Sequence, residues 1–119
     1  MRIELPWPPS GLSPNARVHR MVRAGLVRGY RADCGLMALH CTTPKERGCL
    51  SEKIGPLNLL VTFWHPTKRR PDVDNMLASI KAGIDGVCQS LRIDDSQFQR
   101  ISLEVGGKRT GGAVILEIT

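Results

Sequence analysis

Two short acidic runs interrupt a basic chain. Lys68-Arg69-Arg70-Pro71-Asp72-Val73-Asp74-Asn75 sets two carboxylates beside three cations, and Asp94-Asp95 repeats an acidic pair further on. On a surface built to hold phosphate, bare carboxylates repel the ligand, by about 4 kcal/mol for unit charges ~4 Å apart at an effective dielectric of ~20. A divalent cation reverses that sign. Mg²⁺ takes hard oxygen ligands, commonly one or two carboxylates plus substrate phosphate oxygens. It polarises the phosphoryl group and lowers the pKa of an attacking water. An Asp-x-Asp pair with a distant aspartate on a basic domain therefore reads as metal-dependent phosphodiester hydrolysis, with Asp72, Asp74 and Asp95 meeting at one point. The same residues have plainer uses. Asp72 suits a helix N-cap, Asp74 suits the first turn of a helix through its dipole, and Asp94-Asp95-Ser96 suits a turn or a cap.

Lys81 follows Asp74 by seven residues, two turns along one helical face and ~10 Å away. It either aims a cation at a phosphate or pairs with Asp85 at i+4. Arg17, Arg20, Arg23, Lys68, Arg69 and Arg70 are the candidate DNA backbone contacts, and such contacts position DNA rather than read it. His19 joins the arginines as a phosphate contact. His65 ends a strand beside the acidic motif and is expected on the surface, and His40 carries no signal.

The 119 residues are a single-domain length, read as one domain over 1–119. At 41% apolar and 24% charged the composition is globular, which excludes a disordered tail or a collagen-like chain. No run approaches the ~20 apolar residues that span a bilayer. Met1-Arg2-Ile3-Glu4 lacks the pattern of a signal peptide, so a cytoplasmic protein without a membrane partner is expected. Seventeen Lys and Arg against eleven Asp and Glu leave a charge of +6, which points to an anionic partner, nucleic acid first. Twelve of these cations are Arg, favouring bidentate phosphate contacts. An RNA-associated role fits the charge but leaves the acidic runs unexplained, and 4% aromatic residues argue against a base-stacking platform. Cys34, Cys41, Cys49 and Cys88 form no C-x-x-C pair, so a zinc ribbon is not expected. They read as reduced thiols in the core, in keeping with a cytosolic chain.

These residues need elements to position them. Ile3, Leu5 and Trp7 alternate with polar residues over 1–7, a half-buried strand. Residues 15–32 carry five arginines and no acid, and Gly25 and Gly29 interrupt them. This stretch reads as a basic loop or arm leading into a helix over about 28–42, whose stripe is Tyr30, Cys34, Met37 and Cys41. Pro44, Gly48, Gly55 and Pro56 make 43–56 a loop. Leu57–Trp64 is a continuous β-rich run, a buried strand. Val73, Met76, Leu77, Ile80, Ile84, Val87 and Leu91 recur at helical spacing, with more large apolar residues than a lone small sheet needs, which leaves room for a dimer contact. After a turn at 92–96, Ile101, Leu103 and Val105 alternate in a strand, a glycine-rich hairpin connection covers 106–112, and Val114, Leu116 and Ile118 form the last strand. The expected fold is α+β: a small mixed sheet with two main helices on one face, in the order β-α-β-α-β-β.

In three places the chain resembles the RusA family of Holliday-junction resolvases, and the likeness covers most of its length. Leu5-Pro6-Trp7-Pro8-Pro9-Ser10, followed by Asn15 and Arg17, resembles the N-terminal signature. Arg70-Pro71-Asp72-Val73-Asp74-Asn75-Met76 resembles the R-x-D-x-D-N-[LM] motif, and Ile93-Asp94-Asp95-Ser96-Gln97-Phe98 the [IL]-D-D-x-Q-[VF] motif. The resemblance implies a homodimeric, Mg²⁺-dependent endodeoxyribonuclease that resolves four-way DNA junctions by paired symmetric nicks. It puts catalytic acidic roles on Asp72, Asp74 and Asp95. The family pattern also carries a lysine one helical turn after the second aspartate. Here that position is Ala78, and Lys81 is the nearest candidate on that face. The competing expectation is a basic DNA-binding or architectural module of the same fold with little or no catalysis.

Overall fold

Four strands build one mixed sheet: β1 (Arg2–Leu5), β2 (Leu57–His65), β3 (Phe98–Lys108) and β4 (Ala113–Ile118). Their order across the sheet is β1-β4-β2-β3. β4 runs antiparallel to both β1 and β2, while β2 and β3 are parallel. Register places Ile3 and Val61 opposite Leu116, and Leu5 and Phe63 opposite Val114. Residues paired directly across an antiparallel ladder share a face, so these six form one apolar surface, and all are fully buried. The computed structural model describes residues 1–53 and 55–119.

Two helices cover that surface, α1 (Arg20–Cys41) and α3 (Val73–Leu91), while α2 (Pro44–Glu52) buries no residue. Tyr30, Cys34 and Ala38 of α1 and Met76, Ile80, Ile84, Val87 and Leu91 of α3 join the strand residues in one core. Each large aliphatic side chain so buried contributes roughly 1.5–3 kcal/mol. α1 and α3 cross closely. A Cβ added at Gly86 falls 2.1 Å from the Arg31 carbonyl oxygen, and one at Gly35 falls 2.8 Å from Ser90 Oγ. Only glycine lets the two backbones approach this far.

The α+β class with a mixed sheet is as expected, and so is the α3 helix. Four expectations are corrected. Among the described residues there are three α-helices, because 44–52 is helical where the sequence reads as a loop; position 54, in the same stretch, lies outside the described residues. α1 starts at Arg20 rather than near residue 28, so most of the basic arm is helix. The 109–112 link closes no hairpin. β2 lies between β3 and β4, and the link crosses the end of β2, where the Arg109 amide donates to the His65 carbonyl at 2.9 Å. Finally, the apolar face of α3 is absorbed within one chain, so it leaves no surplus for a dimer. The exposed large apolar residues lie chiefly on α1: Met21, Val22, Leu36 and Leu39. Among the described residues, no helix is long and apolar enough to cross a membrane.

Candidate active site

α3 carries the acidic motif at its start. Asp72 is the N-cap, its Oδ1 accepting from the Asp74 amide at 3.2 Å. Val73 then begins the apolar stripe that docks the helix on the sheet, which leaves the opposite face free. Asp74, Ala78, Lys81 and Asp85 recur along this outward strip at helical spacing. Asp74, Ala78 and Lys81 are exposed and Asp85 is half-buried. Arg92, in the left-handed region at φ 57°, ends the helix and turns the chain back. Asp94 caps the 3-10 turn Asp95–Gln97, accepting from the Ser96 amide at 3.0 Å, while Gln97 Oε1 accepts from the Asp94 amide at 2.9 Å. The Ser96 amide holds the Asp94 carboxyl below the usual carboxylate range.

Lys81 ties the second acidic run to α3. Its ammonium donates to Asp85 Oδ1 at 2.8 Å and to Asp95 Oδ2 at 3.2 Å. The bond to Asp85 chiefly pushes the lysine pKa up; burial offsets part of that rise, and the bond to Asp95 adds to it. The ammonium stays exposed, so the two bridges contribute little to stability; their weight is geometric. They draw the 94–96 turn against the strip that bears Asp74.

The expected meeting of Asp72, Asp74 and Asp95 is not seen. Among the described residues no three His, Cys, Asp or Glu side chains come together to hold a metal ion. Asp72 lines a cleft with Trp7 and Arg70, whereas Asp95 lines a separate hollow with Arg31 and Cys88. The donor chemistry suits Mg²⁺, but as the side chains stand they do not form its cage, and the cation beside Asp95 is Lys81.

The basic residues divide into two groups. Arg17 and Arg20 are exposed, as are Lys68, Arg69 and Arg70 in the loop just before Asp72, and none of the five forms an ion pair among the described residues. Arg23 is a clamp instead. Its guanidinium donates to the carbonyls of Gly11, Ser13 and Leu12 at 3.2, 3.2 and 3.3 Å, closing the turn after β1 onto α1. His19 caps α1, with Nδ1 accepting from the Met21 amide at 3.1 Å, and it lies exposed at the start of the helix. His65 is buried at 8% exposure, not on the surface. Cys34 and Cys88 are buried, and burial pushes both thiols up to about 12. Cys49 departs from the expected core role and lies exposed on α2.

An uncharacterized protein of Xylella fastidiosa (strain Temecula1) is 38% identical over 122 residues, which covers 98% of this chain and 74% of that protein. The chain belongs to the same family as that protein. No protein-family model matches the chain.

Proposed function

We propose that this protein is a RusA-like endodeoxyribonuclease that nicks branched DNA, four-way junctions above all, with Mg²⁺ as cofactor. The observation that carries the reading is the bond from Lys81 to Asp95. It holds the second acidic run against the strip of α3 that bears Asp74, with the Lys68–Arg70 cations at the head of the same helix. Asp72, Asp74 and Asp95 are the acids assigned to the chemistry, and Lys81 is the cation assigned to a phosphate. Arg17, Arg20, Lys68, Arg69 and Arg70 engage the backbone, and Arg23 supports that surface from beneath. A homodimer suits a pseudo-symmetric junction that needs two nicks. The exposed Val22, Leu36 and Leu39 of α1 are the apolar surface on which two copies would meet.

The test is a labelled four-way junction incubated with the purified protein, with Mg²⁺ and with EDTA. Wild type should give paired nicks only with the metal. Asp72→Asn should bind the junction as wild type does and leave it uncut. A mutant that cuts at the wild-type rate would reduce Asp72 to a helix cap. One observation favours the rival reading, a DNA-binding module without catalysis: Ala78 stands exposed on the strip where the family pattern carries its lysine. Tight junction binding with no nicks in Mg²⁺ would decide for that module.

A further inference from the structure

The N-terminal signature Leu5-Pro6-Trp7-Pro8-Pro9-Ser10 has no part in the acidic strip. Its chain path is nonetheless fixed at several points. The Tyr30 hydroxyl donates to the Pro6 carbonyl at 2.7 Å, and Arg23 holds the carbonyls of residues 11–13. Gly112, at φ +69°, packs against Trp7 so tightly that an added Cβ would lie 3.0 Å from the indole ring. The signature forms one wall of a cleft of about 650 Å³, and the loop leading to Asp72 forms the other. That volume lies in the usual range for a small-molecule site.

The lining is specific in its chemistry. Trp7 supplies an indole, and Met76 an apolar surface. Arg69 and Arg70 are also part of it, exposed and free of ion pairs among the described residues, and so is Asp72, so the cleft adjoins the proposed active site and carries one carboxylate beside its two guanidinium groups. His65 is more than nine-tenths buried and lines the same cleft. Its Nδ1 faces the Thr67 carbonyl, which can only accept, so Nδ1 carries the proton. In the neutral ring Nε2 is then an acceptor, and it has no protein partner among the described residues. An aromatic ring, an unpartnered acceptor open to the cleft and two guanidinium groups suit a base on a phosphate backbone.

We propose that this cleft receives one unpaired nucleobase of the DNA, stacked on Trp7 with its pairing edge toward His65 Nε2, while Arg69 and Arg70 hold the adjoining phosphates. The inference rests on the reading of the protein as one that acts on branched DNA, and it requires that a base at the branch point, paired in an intact four-way junction, opens to enter the cleft. Every DNA base offers an N–H on its Watson–Crick edge: adenine and cytosine through the exocyclic amino group, guanine through N1 and N2, thymine through N3. In a duplex that N–H is already used. An acceptor in this cleft therefore distinguishes unpaired from paired bases, since each base offers it an N–H only when that edge is free. This is selectivity for structure rather than sequence. It needs one aromatic residue, not a stacking platform, which fits a chain with so few of them.

The test is binding in EDTA, where no cleavage occurs. Three duplexes are compared: fully paired, carrying one unpaired base, and carrying an abasic residue in place of that base. Wild type should bind the unpaired-base duplex roughly tenfold more tightly than its abasic counterpart. Trp7→Ala should equalise the two without weakening binding to the paired duplex, and Trp7→Phe should restore most of the preference. In a Trp64→Phe background Trp7 is the sole tryptophan, and its emission should be quenched by the unpaired base and not by the abasic site. Equal wild-type affinity for base and abasic DNA overturns the proposal, and so does a preference that survives in a folded Trp7→Ala. These readouts do not depend on catalysis. A protein that never nicks junctions but shows the preference keeps the cleft and loses the nuclease, and the reverse result does the opposite.

Discussion

Lys81 is where a structural and a functional account of the same contacts diverge most usefully. An ammonium bound to two carboxylates at 2.8 and 3.2 Å looks like a stabilising network. Exposed pairs of this kind contribute at most about 1 kcal/mol. Lys81→Met should therefore change stability by less than about 1 kcal/mol in denaturant unfolding, yet reduce junction cleavage by at least about tenfold, the loss of one well-placed charge contact at the phosphate. Asp85→Asn removes the i,i+4 partner alone and should leave cleavage unchanged. Equal, small effects of both substitutions on cleavage would make Lys81 a helix-surface residue only. The i+7 spacing of Asp74 and Lys81 and the capping role of Asp72 were readable from sequence, because both depend on residues within two helical turns. The roles of Arg23, His19 and His65 were not. Arg23 finds its carbonyl partners only because α1 packs beside the turn at 10–13, and His65 is buried only because β2 is an inner strand. Side chains of one charge and similar spacing thus divide into free and engaged groups through contacts that periodicity does not carry.

At the level of elements, local signals and long-range packing each account for part of the reading. α3 was readable end to end, since its apolar stripe meets the core along its whole length. α2 was missed although its start is written in the chain. Thr43 accepts from the Glu46 amide, Glu46 accepts from the Thr43 amide, and Pro44 sits at the first helical position, a complete N-terminal signature. Pro44 and Gly48 read as breakers, and no buried residue marks the helix. The start of α1 was missed because Gly25 and Gly29 lower helix propensity, a cost the Arg23 clamp and the packing on α3 offset. The placement of β2 between β3 and β4 lay beyond any local signal. The close approach of α1 and α3 yields a paired prediction. Gly86→Ala drives a Cβ into the Arg31 backbone at 2.1 Å, which neither rigid helix can yield without moving. It should destabilise the fold by roughly 1–3 kcal/mol or more. Gly48→Ala, in α2 with nothing within 4 Å, should instead stabilise by up to about 1 kcal/mol. Both are read from thermal and denaturant midpoints. A neutral Gly86→Ala would mean that the helices do not cross at this glycine.

Over the whole molecule, what matters is how a charge of +6 is spent. The net value and the excess of arginine were plain from composition, but composition does not say which cations remain free. Arg109 pairs with Glu4 at 2.7 Å, Lys81 with Asp85 and Asp95, and Arg23 and Arg47 bond backbone carbonyls. The other thirteen are left on the surface without a carboxylate among the described residues, and Arg17, Arg20, Lys68, Arg69 and Arg70 are the five assigned to the DNA backbone. If these five neutralise phosphates, the logarithm of the junction association constant should fall with the logarithm of salt concentration at a slope of about −4.5, from roughly −0.9 per phosphate. The triple substitution of Lys68, Arg69 and Arg70 by alanine should then flatten that slope by about 2.7 on the same scale. Arg23→Ala should behave differently, because its guanidinium is spent on the turn at 10–13: the melting temperature falls while the slope changes little. Titrations of a fluorescent four-way junction between low and physiological salt, in EDTA, measure all three. A wild-type slope near zero would remove the backbone-tracking surface and with it the DNA substrate. A slope that Arg23→Ala flattens as much as a single loop substitution does would show that this arginine leaves the turn to reach phosphate.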